Sequence, residues 1–206
     1  MTPDELIASS LRLRIRRWQR SDYHTMDRWP PFIDPLSVIW NLPDRVVVGD
    51  RDWTHDLRRT YAVQTHSGTL LGRITLRNID PLTSAARLGI TIGSPFVSQG
   101  YGTEALEAFL QAYFTTMRFQ TMVLDVASVN ERAVRCYRRL GFAHTGQHWR
   151  DAGSRFLVNL DAASRQRVEP YIRQGRHTVW VQFCDMTLQR EQWHTHRSAQ
   201  VVGSSI

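Results

Sequence analysis

The sequence predicts a single α/β domain, and three observations carry this prediction. A chain of 206 residues is long enough for one well-buried core and short for two domains. Two β-rich segments joined by a turn signal indicate an antiparallel hairpin at residues 61–79. Residues 103–141 then have the pattern of a helix, a buried strand and a second helix, so strands and helices belong to one domain.

The N-terminal part predicts a strand followed by a short helix. Apolar residues alternate with arginines over residues 11–18, as they do in a strand with one buried face. The arginine row is expected to face solvent, with contact to a partner's phosphates as the alternative. Ser21 and Asp22 can cap a helix that runs to about Trp29, where two prolines stop it.

Residues 32–60 are ambiguous, apart from a helix expected across Asp52 to Arg59. The segments YAVQT (61–65) and LLGRITLRNI (70–79) are separated by the turn signal HSGT and predict the hairpin. After the breaker DPLTS, a third strand, RLGITI, is expected at 87–92.

An amphipathic helix is predicted from Thr103, because apolar residues recur there at spacings of three and four. These residues are Leu106, Phe109, Leu110, Tyr113, Phe114 and Met117. The apolar run at 121–126 predicts a buried strand. A second helix is expected over 130–141, and Gly141 ends it in the usual C-terminal position.

Two further strands are expected at 142–149 and 178–188. The segment 151–177 between them is longer than most hairpin connections, so we expect either a functional flap or an ordered insertion within the domain 1–206. This segment would either cover an acceptor pocket or mediate a homodimer.

The composition excludes several classes of protein. All 26 basic residues are arginine and the net charge is +7, so no side-chain amine can form a Schiff base or act as a general base. The basic surface suits a polyanionic ligand, either a nucleotide-like cofactor or nucleic acid. No apolar run approaches the roughly 18 residues of a membrane span, and the start is not a signal peptide, so we expect a cytoplasmic protein.

The stretch SQGYGTEALEAF (98–109) has the features of an anion-binding loop that opens a helix. A Walker P-loop needs a lysine, which the chain does not contain. A dinucleotide fingerprint is a competitor, since Gly100, Gly102 and Ala105 fit its spacing and Asp125 could bind a ribose.

Two observations argue against the dinucleotide fingerprint. The seven residues GSPFVSQ separate the preceding strand from Gly100, whereas the fingerprint follows its strand directly. Hairpins rather than repeated βαβ units also precede the loop. We therefore expect a wide loop whose backbone amides hold a pyrophosphate.

The segments ITIGSPFVSQGYGTEAL (90–106) and VLDVASVNERAVRCYRRLGF (123–142) resemble the coenzyme A signature of the GNAT N-acetyltransferase superfamily. The resemblance is strongest to its branch of ribosomal-protein N-terminal acetyltransferases. It covers roughly residues 10–150 and resumes at 178–193. It implies the GNAT fold, a mixed and mostly antiparallel sheet flanked by helices and splayed beside the loop, with acetyl-CoA as cosubstrate and no metal.

The resemblance also implies binding roles for particular residues. The backbone of β-strand residues would pair with the pantetheine arm, loop amides would hold the pyrophosphate, and an asparagine would bond the arm. These residues are Ile90, Thr91 and Ile92 in the strand, Gln99, Gly100, Tyr101, Gly102 and Thr103 in the loop, and Asn130. One position departs from the family, because Val97 stands where Arg or Gln is usual.

Acetyl transfer to an amine needs a neutral amine and a proton for the departing thiolate. Tyr137, which the resemblance places at the thioester sulfur, is the expected general acid, with a core ring as the alternative. Asp125 occupies the place of a glutamate base in some relatives and would act through a water, with a structural acid as the alternative. The histidines His66, His144 and His148 are further candidates for the base.

Other chemistries receive less support from the sequence. Cys136 and Cys184 are too few for a disulfide framework and are expected to be core thiols, with an acyl-carrying nucleophile as the alternative for Cys136. His144 and His148 would share a strand face, but two ligands do not make a metal site. Three tryptophans near arginines, Trp149, Trp180 and Trp193, are expected at a core edge rather than stacked on nucleic-acid bases.

The expected reaction is direct acetyl transfer to a primary amine, preferably a protein or peptide N-terminus. A lysine amine costs about 4.6 kcal/mol to deprotonate at pH 7, whereas an α-amine costs about 1.4 kcal/mol. A small-molecule amine acetyltransferase is the alternative enzyme. A non-catalytic acyl-CoA-binding module is the alternative class, because Val97 and the lack of a carboxylate on the 87–92 strand favour it.

Overall fold

The computed structural model describes residues 5–40, 42 and 58–203. In that part of the chain the strands are β1 (Leu6–Ser9), β2 (Leu13–Arg17), β3 (Arg59–Thr65), β4 (Leu70–Asp80), β5 (Ala85–Ile92), β6 (Thr121–Ala127), β7 (Ala143–Asp151), β8 (Ile172–Gln174) and β9 (Val179–Gln189). The α-helices are α1 (Arg20–Met26), α2 (Tyr101–Thr115), α3 (Glu131–Arg139), α4 (Ala162–Val168) and α5 (Arg190–Gly203). Short 3₁₀ helices lie at Pro35–Ile39, Ser94–Phe96, Leu157–Asn159 and Glu169–Tyr171.

The chain divides into two compact units, which we describe separately. The first unit comprises residues 1–31, 54–123 and 188–206, and the second comprises 32–53 and 124–187. The helix expected across Asp52 to Arg59 lies outside the described residues, except that Arg59 begins β3.

In the first unit, strands β1 to β5 pair antiparallel in chain order, and β5 then pairs parallel with the start of β6. The predicted hairpin is the β3–β4 pair, and Leu13 and Ile15 of β2 are fully buried, as the alternating pattern predicted. The α/β class with a mostly antiparallel sheet is therefore confirmed.

Helix α2 buries the apolar face that its periodicity predicts. Phe109 lies against Tyr61 of β3, with 5.1 Å between ring centroids. Trp193 of α5 is fully buried, packs on Phe114 and donates its indole N–H to the Gln111 Oε1 at 3.3 Å. Strand β3 and α5 therefore both contact α2, which begins at the glycine-bearing loop.

The start of α1 differs from the prediction. The helix begins at Arg20, with Gln19 rather than Ser21 as its N-cap. The Asp22 carboxylate accepts the Gln19 amide at 2.7 Å and both terminal nitrogens of Arg16 at 2.8 Å. Burial alone would raise the pKa of Asp22, but these hydrogen bonds outweigh it and hold the pKa below its usual value. Asp22 thus caps the helix through the Gln19 amide, and Arg16 of β2 pairs with the same carboxylate.

In the second unit, the end of β6 lies beside β9, and β9 pairs antiparallel with β7 and β8. Its core contains Leu36, Val168, Val181 and Phe183, all fully buried. The segment 151–177 contributes α4 and β8 to this unit. The Asp161 carboxylate caps α4 by accepting the Ser164 amide at 2.7 Å.

Helix α3 ends as predicted. Gly141 has a φ of +94°, a conformation that favours glycine. The Phe142 amide donates to the Tyr137 carbonyl at 3.1 Å, and the Gly141 amide donates to the Arg138 carbonyl at 3.0 Å. This is the hydrogen-bond pattern of a glycine-terminated helix.

Gly93 follows β5 in the first unit and lies against the ring of Trp29. A Cβ at this position would lie 2.7 Å from Trp29 Cδ2, closer than real Cβ contacts allow. At Gly89, in the same strand, the nearest atom would be 3.7 Å away, which is an ordinary contact. The turn out of β5 therefore depends on glycine at 93 and not at 89.

We predict that Gly93→Ala lowers the free energy of unfolding by about 1–3 kcal/mol, because the new methyl group overlaps Trp29. Gly89→Ala is the control and should cause no comparable loss. Urea unfolding followed by tryptophan fluorescence measures both. Equal stability of the two variants would contradict the packing argument.

Candidate active site

Strand β5 has one paired edge along its whole length and a second edge that is paired only at its start. Its ladder with β4 continues to the Gly72–Ile92 pair, whereas its parallel ladder with β6 covers Ala85 to Arg87. Beyond Arg87, the described residues give the second edge no ladder partner, and the residues 90–92 are half-buried. Backbone groups there can pair with an extended ligand, as in strand addition.

The loop after β5 leads from Gly93 to the start of α2. Gly100 has a φ of +82° and is the N-cap of α2, a helix of 15 residues. A glycine N-cap offers no side chain to the first amides of the helix, and the structure shows no side-chain cap bond there. An exposed helix N-terminus of this kind binds anions through backbone N–H groups and the helix dipole.

Glu104, in the first turn of α2, does not cap the helix but bonds Ser10 and Arg12. It accepts the Ser10 hydroxyl at 2.7 Å, the Arg12 amide at 2.9 Å and the Arg12 Nε at 2.6 Å. Partial burial would raise the pKa of Glu104, but these hydrogen bonds outweigh it and lower the pKa below its usual value. Glu104 therefore stays ionised and holds Arg12 beside the loop.

Arg12 also contacts the loop itself. Its terminal nitrogens lie 3.4 Å from the Gln99 carbonyl oxygen, and its guanidinium carbon lies 4.4 Å from the centre of the Tyr101 ring. Arg12 was not among the predicted site residues, although it belongs to the arginine row for which contact with phosphates was the alternative prediction. Glu104, the glutamate of the GYGTEAL segment, was a sequence feature that could have indicated a cationic partner near the loop.

In the second unit, Asn130 is the N-cap of α3, and its Oδ1 accepts the Ala133 amide at 3.3 Å. Tyr137 lies two turns into α3, is 8% exposed and packs edge-on against Phe142. Burial raises the pKa of Tyr137 strongly, with smaller contributions from Cys136 and Asp125. The phenol therefore remains protonated throughout the physiological range.

Asp125 forms a buried ion pair that the sequence argument did not anticipate. Its Oδ2 lies 2.8 Å from a terminal nitrogen of Arg150, and the two side chains are 7% and 8% exposed. Arg150 also donates to the Leu42 carbonyl at 2.7 Å and to His148 Nε2 at 3.0 Å. The alternative prediction made Asp125 a structural acid that bonds backbone amides. In the structure its ion-pair partner is instead the Arg150 side chain.

His148 has both ring nitrogens in hydrogen bonds. Because Arg150 always donates, Nε2 must accept, so Nδ1 carries the proton and donates to Asp185 at 3.1 Å. His144 is exposed, and the strand register shifts between His144 and Gly146, so the even spacing no longer places His144 and His148 on one face. The shared-face prediction is therefore wrong. His66 lies 3.1 Å from the Ser10 carbonyl oxygen in the first unit.

The remaining candidate groups are the two cysteines and the possible metal ligands. Neither Cys136 nor Cys184 forms a disulfide, both are half-buried rather than in the core, and Cys184 Sγ lies 3.2 Å from the Ser128 hydroxyl. Across residues 5–40, 42 and 58–203, no three His, Cys, Asp or Glu side chains form a cluster that could hold a metal ion. None of the helices in these same residues is both long and apolar enough to cross a bilayer.

Fold and loop together define a class of α/β domain that can bind an extended ligand along one strand and an anion at the following helix. Within that class, the chain belongs to the GNAT acetyltransferase family, because the model of the acetyltransferase (GNAT) domain matches residues 12–143, more than half of the chain. The predicted family and the predicted enzyme class, acetyl-CoA-dependent N-acetyltransferases, are confirmed.

Two curated relatives have different named acceptors. "Putative ribosomal N-acetyltransferase YdaF" of Bacillus subtilis (strain 168) is 27% identical over 122 residues, 59% of this chain and 67% of that protein. The spermidine N(1)-acetyltransferase of Escherichia coli (strain K12) is 28% identical over 116 residues, 56% of this chain and 60% of that protein. The match therefore spans less than two thirds of the spermidine enzyme's length.

A solved structure is similar in fold. It is the spermidine N-acetyltransferase from Vibrio cholerae in complex with CoA and spermine, with a TM-score of 0.60 and 18% identity. The alignment covers 88% of this chain and 97% of that chain. At this identity, the likeness shows the shared fold.

We predict that Arg150→Ala lowers the free energy of unfolding by about 3–5 kcal/mol, because it leaves the Asp125 charge buried without its arginine. Arg135→Ala is the control, since it breaks an exposed ion pair with Glu131 and should change stability by less than about 1 kcal/mol. Urea unfolding monitored by circular dichroism gives both values. A loss at Arg150 no larger than that at Arg135 would rule out a strong buried pair.

Proposed function

We propose that this protein transfers the acetyl group of acetyl-CoA to a primary amine, and that the acceptor is the α-amine of a protein or peptide N-terminus. The open edge of β5, which runs directly into the glycine-bearing loop, is the observation that carries the proposal. A strand edge suits the amide-rich pantetheine arm, and a helix N-terminus suits the pyrophosphate that follows it.

The residues present fit acetyl-CoA. Backbone groups of Ile90, Thr91 and Ile92 would hold the pantetheine arm, and Asn130 would bond it. The pyrophosphate would lie on the loop amides, which are those of Gln99, Gly100, Tyr101, Gly102 and Thr103. A Cβ at Gly102 would meet only Ile92 at 3.6 Å, an ordinary contact. The protein's own packing does not require this glycine, whereas a ligand lying on the backbone would.

Tyr137 is the proposed general acid. When bound, acetyl-CoA supplies an acyl group activated as a thioester, and its thiolate leaves as the amide forms. The buried phenol of Tyr137 can donate its proton to a departing thiolate, because the proton is retained at every physiological pH. Backbone amides near Ile92 would polarise the thioester oxygen.

The acceptor amine must lose a proton before or during attack. Asp125 remains the proposed acceptor of this proton through a water, and its ion pair with Arg150 fixes the orientation of the carboxylate. An α-amine with a pKa near 8 costs about 1.4 kcal/mol to deprotonate at pH 7. A strong general base is therefore not needed for an N-terminal acceptor.

Charge favours a peptide over a polyamine as acceptor. The chain has a net charge of +7, which repels a polycation. Asp34 is already paired with Arg167 at 2.9 Å. Spermidine acetylation is nevertheless the second candidate, because two of the relatives described above are spermidine acetyltransferases.

A panel of acceptors tests the reaction and its preference. We expect acetyl-CoA to release thiol with N-terminal peptides, and kcat/KM for the best peptide to exceed that for spermidine by at least about tenfold. Thiol release by a chromogenic disulfide measures the rate, and mass spectrometry locates the acetyl group. A preference for spermidine would select the second candidate. CoA binding without turnover on any acceptor would select a non-catalytic binding module.

We predict that Tyr137→Phe lowers kcat by about 10²- to 10⁴-fold while the Kd for CoA changes little. Tyr113→Phe is the matched control, because Tyr113 is also a buried tyrosine with a raised pKa, but it donates to the Thr121 carbonyl in the first unit. Unchanged turnover in Tyr137→Phe would remove this residue from the mechanism.

The pH dependence provides a separate check on Tyr137. Since burial raises its pKa above the usual value near 10, the phenol should not deprotonate below that pH. We therefore expect no alkaline loss of kcat that is attributable to tyrosine up to about pH 10. A tyrosine-dependent fall in kcat near pH 8, absent from Tyr137→Phe, would contradict the assignment.

A further inference from the structure

We propose that Arg12 is a positioning residue for acetyl-CoA, which holds the loop at the start of α2 in the conformation that binds the pyrophosphate. This inference rests on the proposed function and adds to the site a residue from the connection between β1 and β2. The family resemblance assigns cofactor contacts to β5, the loop and α3, and it assigns none to the connection between β1 and β2.

Arg12 connects three positions of the loop and helix. Its amide and its Nε both donate to Glu104, at 2.9 and 2.6 Å, and a terminal nitrogen lies 2.6 Å from Glu104 Oε2. Its terminal nitrogens lie 3.4 Å from the Gln99 carbonyl oxygen, and its guanidinium covers the Tyr101 ring. Residues on both sides of the N-cap are therefore held by one rigid, planar group.

The contact with Gly100 shows how close this group lies to the proposed anion position. A Cβ at Gly100 would be 3.4 Å from an Arg12 terminal nitrogen. Gly100 has a left-handed backbone, a conformation that glycine adopts readily. Hydrogen bonding of Gln99 and Glu104 to one arginine restrains the chain on either side of this residue. The amides of the first turn are then held ready before the ligand arrives.

The charge of Arg12 also bears on the departure at Val97. The Val97 side chain is apolar and half-buried, so it can donate no hydrogen bond to a phosphate. The Arg12 side chain is 44% exposed and brings a positive charge to the same loop. Glu104 neutralises part of this charge. The geometry therefore favours a role for Arg12 in positioning the loop over a direct electrostatic contact with the phosphates.

Acetyl donors that carry different phosphate groups distinguish the positioning role of Arg12 from general damage to the fold. Acetyl-CoA carries the pyrophosphate and a 3′-phosphate, 3′-dephospho-acetyl-CoA keeps the pyrophosphate alone, and acetyl-pantetheine lacks both. We expect Arg12→Ala to raise KM for the first two donors by about tenfold with kcat within twofold. The kcat/KM for acetyl-pantetheine should not change, because that donor has no group for the loop to hold.

Two variants serve as controls. Arg14→Ala removes the same charge from an exposed position two residues along, and it should leave KM for all three donors unchanged. Arg12→Lys keeps the charge but cannot bridge Gln99 and Glu104 with a planar fork, so it should behave like Arg12→Ala. If Arg12→Ala does not fold, as judged by thermal unfolding, Arg12→Gln takes its place.

Each outcome decides the proposal. Equal losses with acetyl-CoA and acetyl-pantetheine, rescue of KM by Arg12→Lys, or an effect of Arg14→Ala as large as that of Arg12→Ala would overturn the positioning role. A change in KM confined to acetyl-CoA, absent with 3′-dephospho-acetyl-CoA, would overturn it too, because the 3′-phosphate would then be the contact. A wild-type protein that neither binds CoA nor releases thiol would overturn the proposed function itself, a result distinct from all of these.

Discussion

The proposed chemistry depends on where the ladder between β5 and β6 stops. Backbone N–H and C=O groups need partners, and β5 supplies them to β6 only from Ala85 to Arg87. The other edge continues to bond β4 as far as Ile92, so β5 stays a regular strand while its second edge opens. An extended ligand can then complete the strand's hydrogen bonding. The loop from Gly93 to Gly100 begins where the open edge ends, so the proposed position of the pyrophosphate directly follows the proposed position of the pantetheine arm.

Buried ionisable groups in the second unit are stabilised in two different ways. Tyr137 is buried in its neutral form, which costs little as long as its proton stays on. Asp125 is buried with Arg150 as an ion pair, and Arg150 in turn bonds His148 and the Leu42 carbonyl. The first arrangement preserves a transferable proton. The second fixes the orientation of a carboxylate and couples it to several neighbours, so a substitution at any of them alters the others.

Local patterns in the sequence account for most of the fold. The spacing of apolar residues predicts α2, the glycine at 141 predicts the end of α3, and the turn signal HSGT predicts the β3–β4 hairpin. These features arise from interactions within a few residues, which periodicity and turn chemistry describe well. The strand β2 and the glycine loop were predictable for the same reason.

The errors and omissions arise from contacts between distant residues. The shared face of His144 and His148 is lost to a register shift of β7 against β9. Arg150 lies two residues after His148 in β7, but nothing local in the sequence indicates that Asp125 is its partner. Such pairs follow from the topology of the sheet, which a single sequence does not encode in its periodicity.

The pairing of Arg12 with Glu104 has a consequence for the order of events in folding. The two residues are 92 positions apart, so the shape of the loop depends on closing a long segment of chain. A fragment covering residues 90–142 would contain every motif of the coenzyme A signature and still lack this contact. On the proposed role of Arg12, CoA binding at the loop would require the folded first unit and would begin only once the N-terminal strands have joined the sheet.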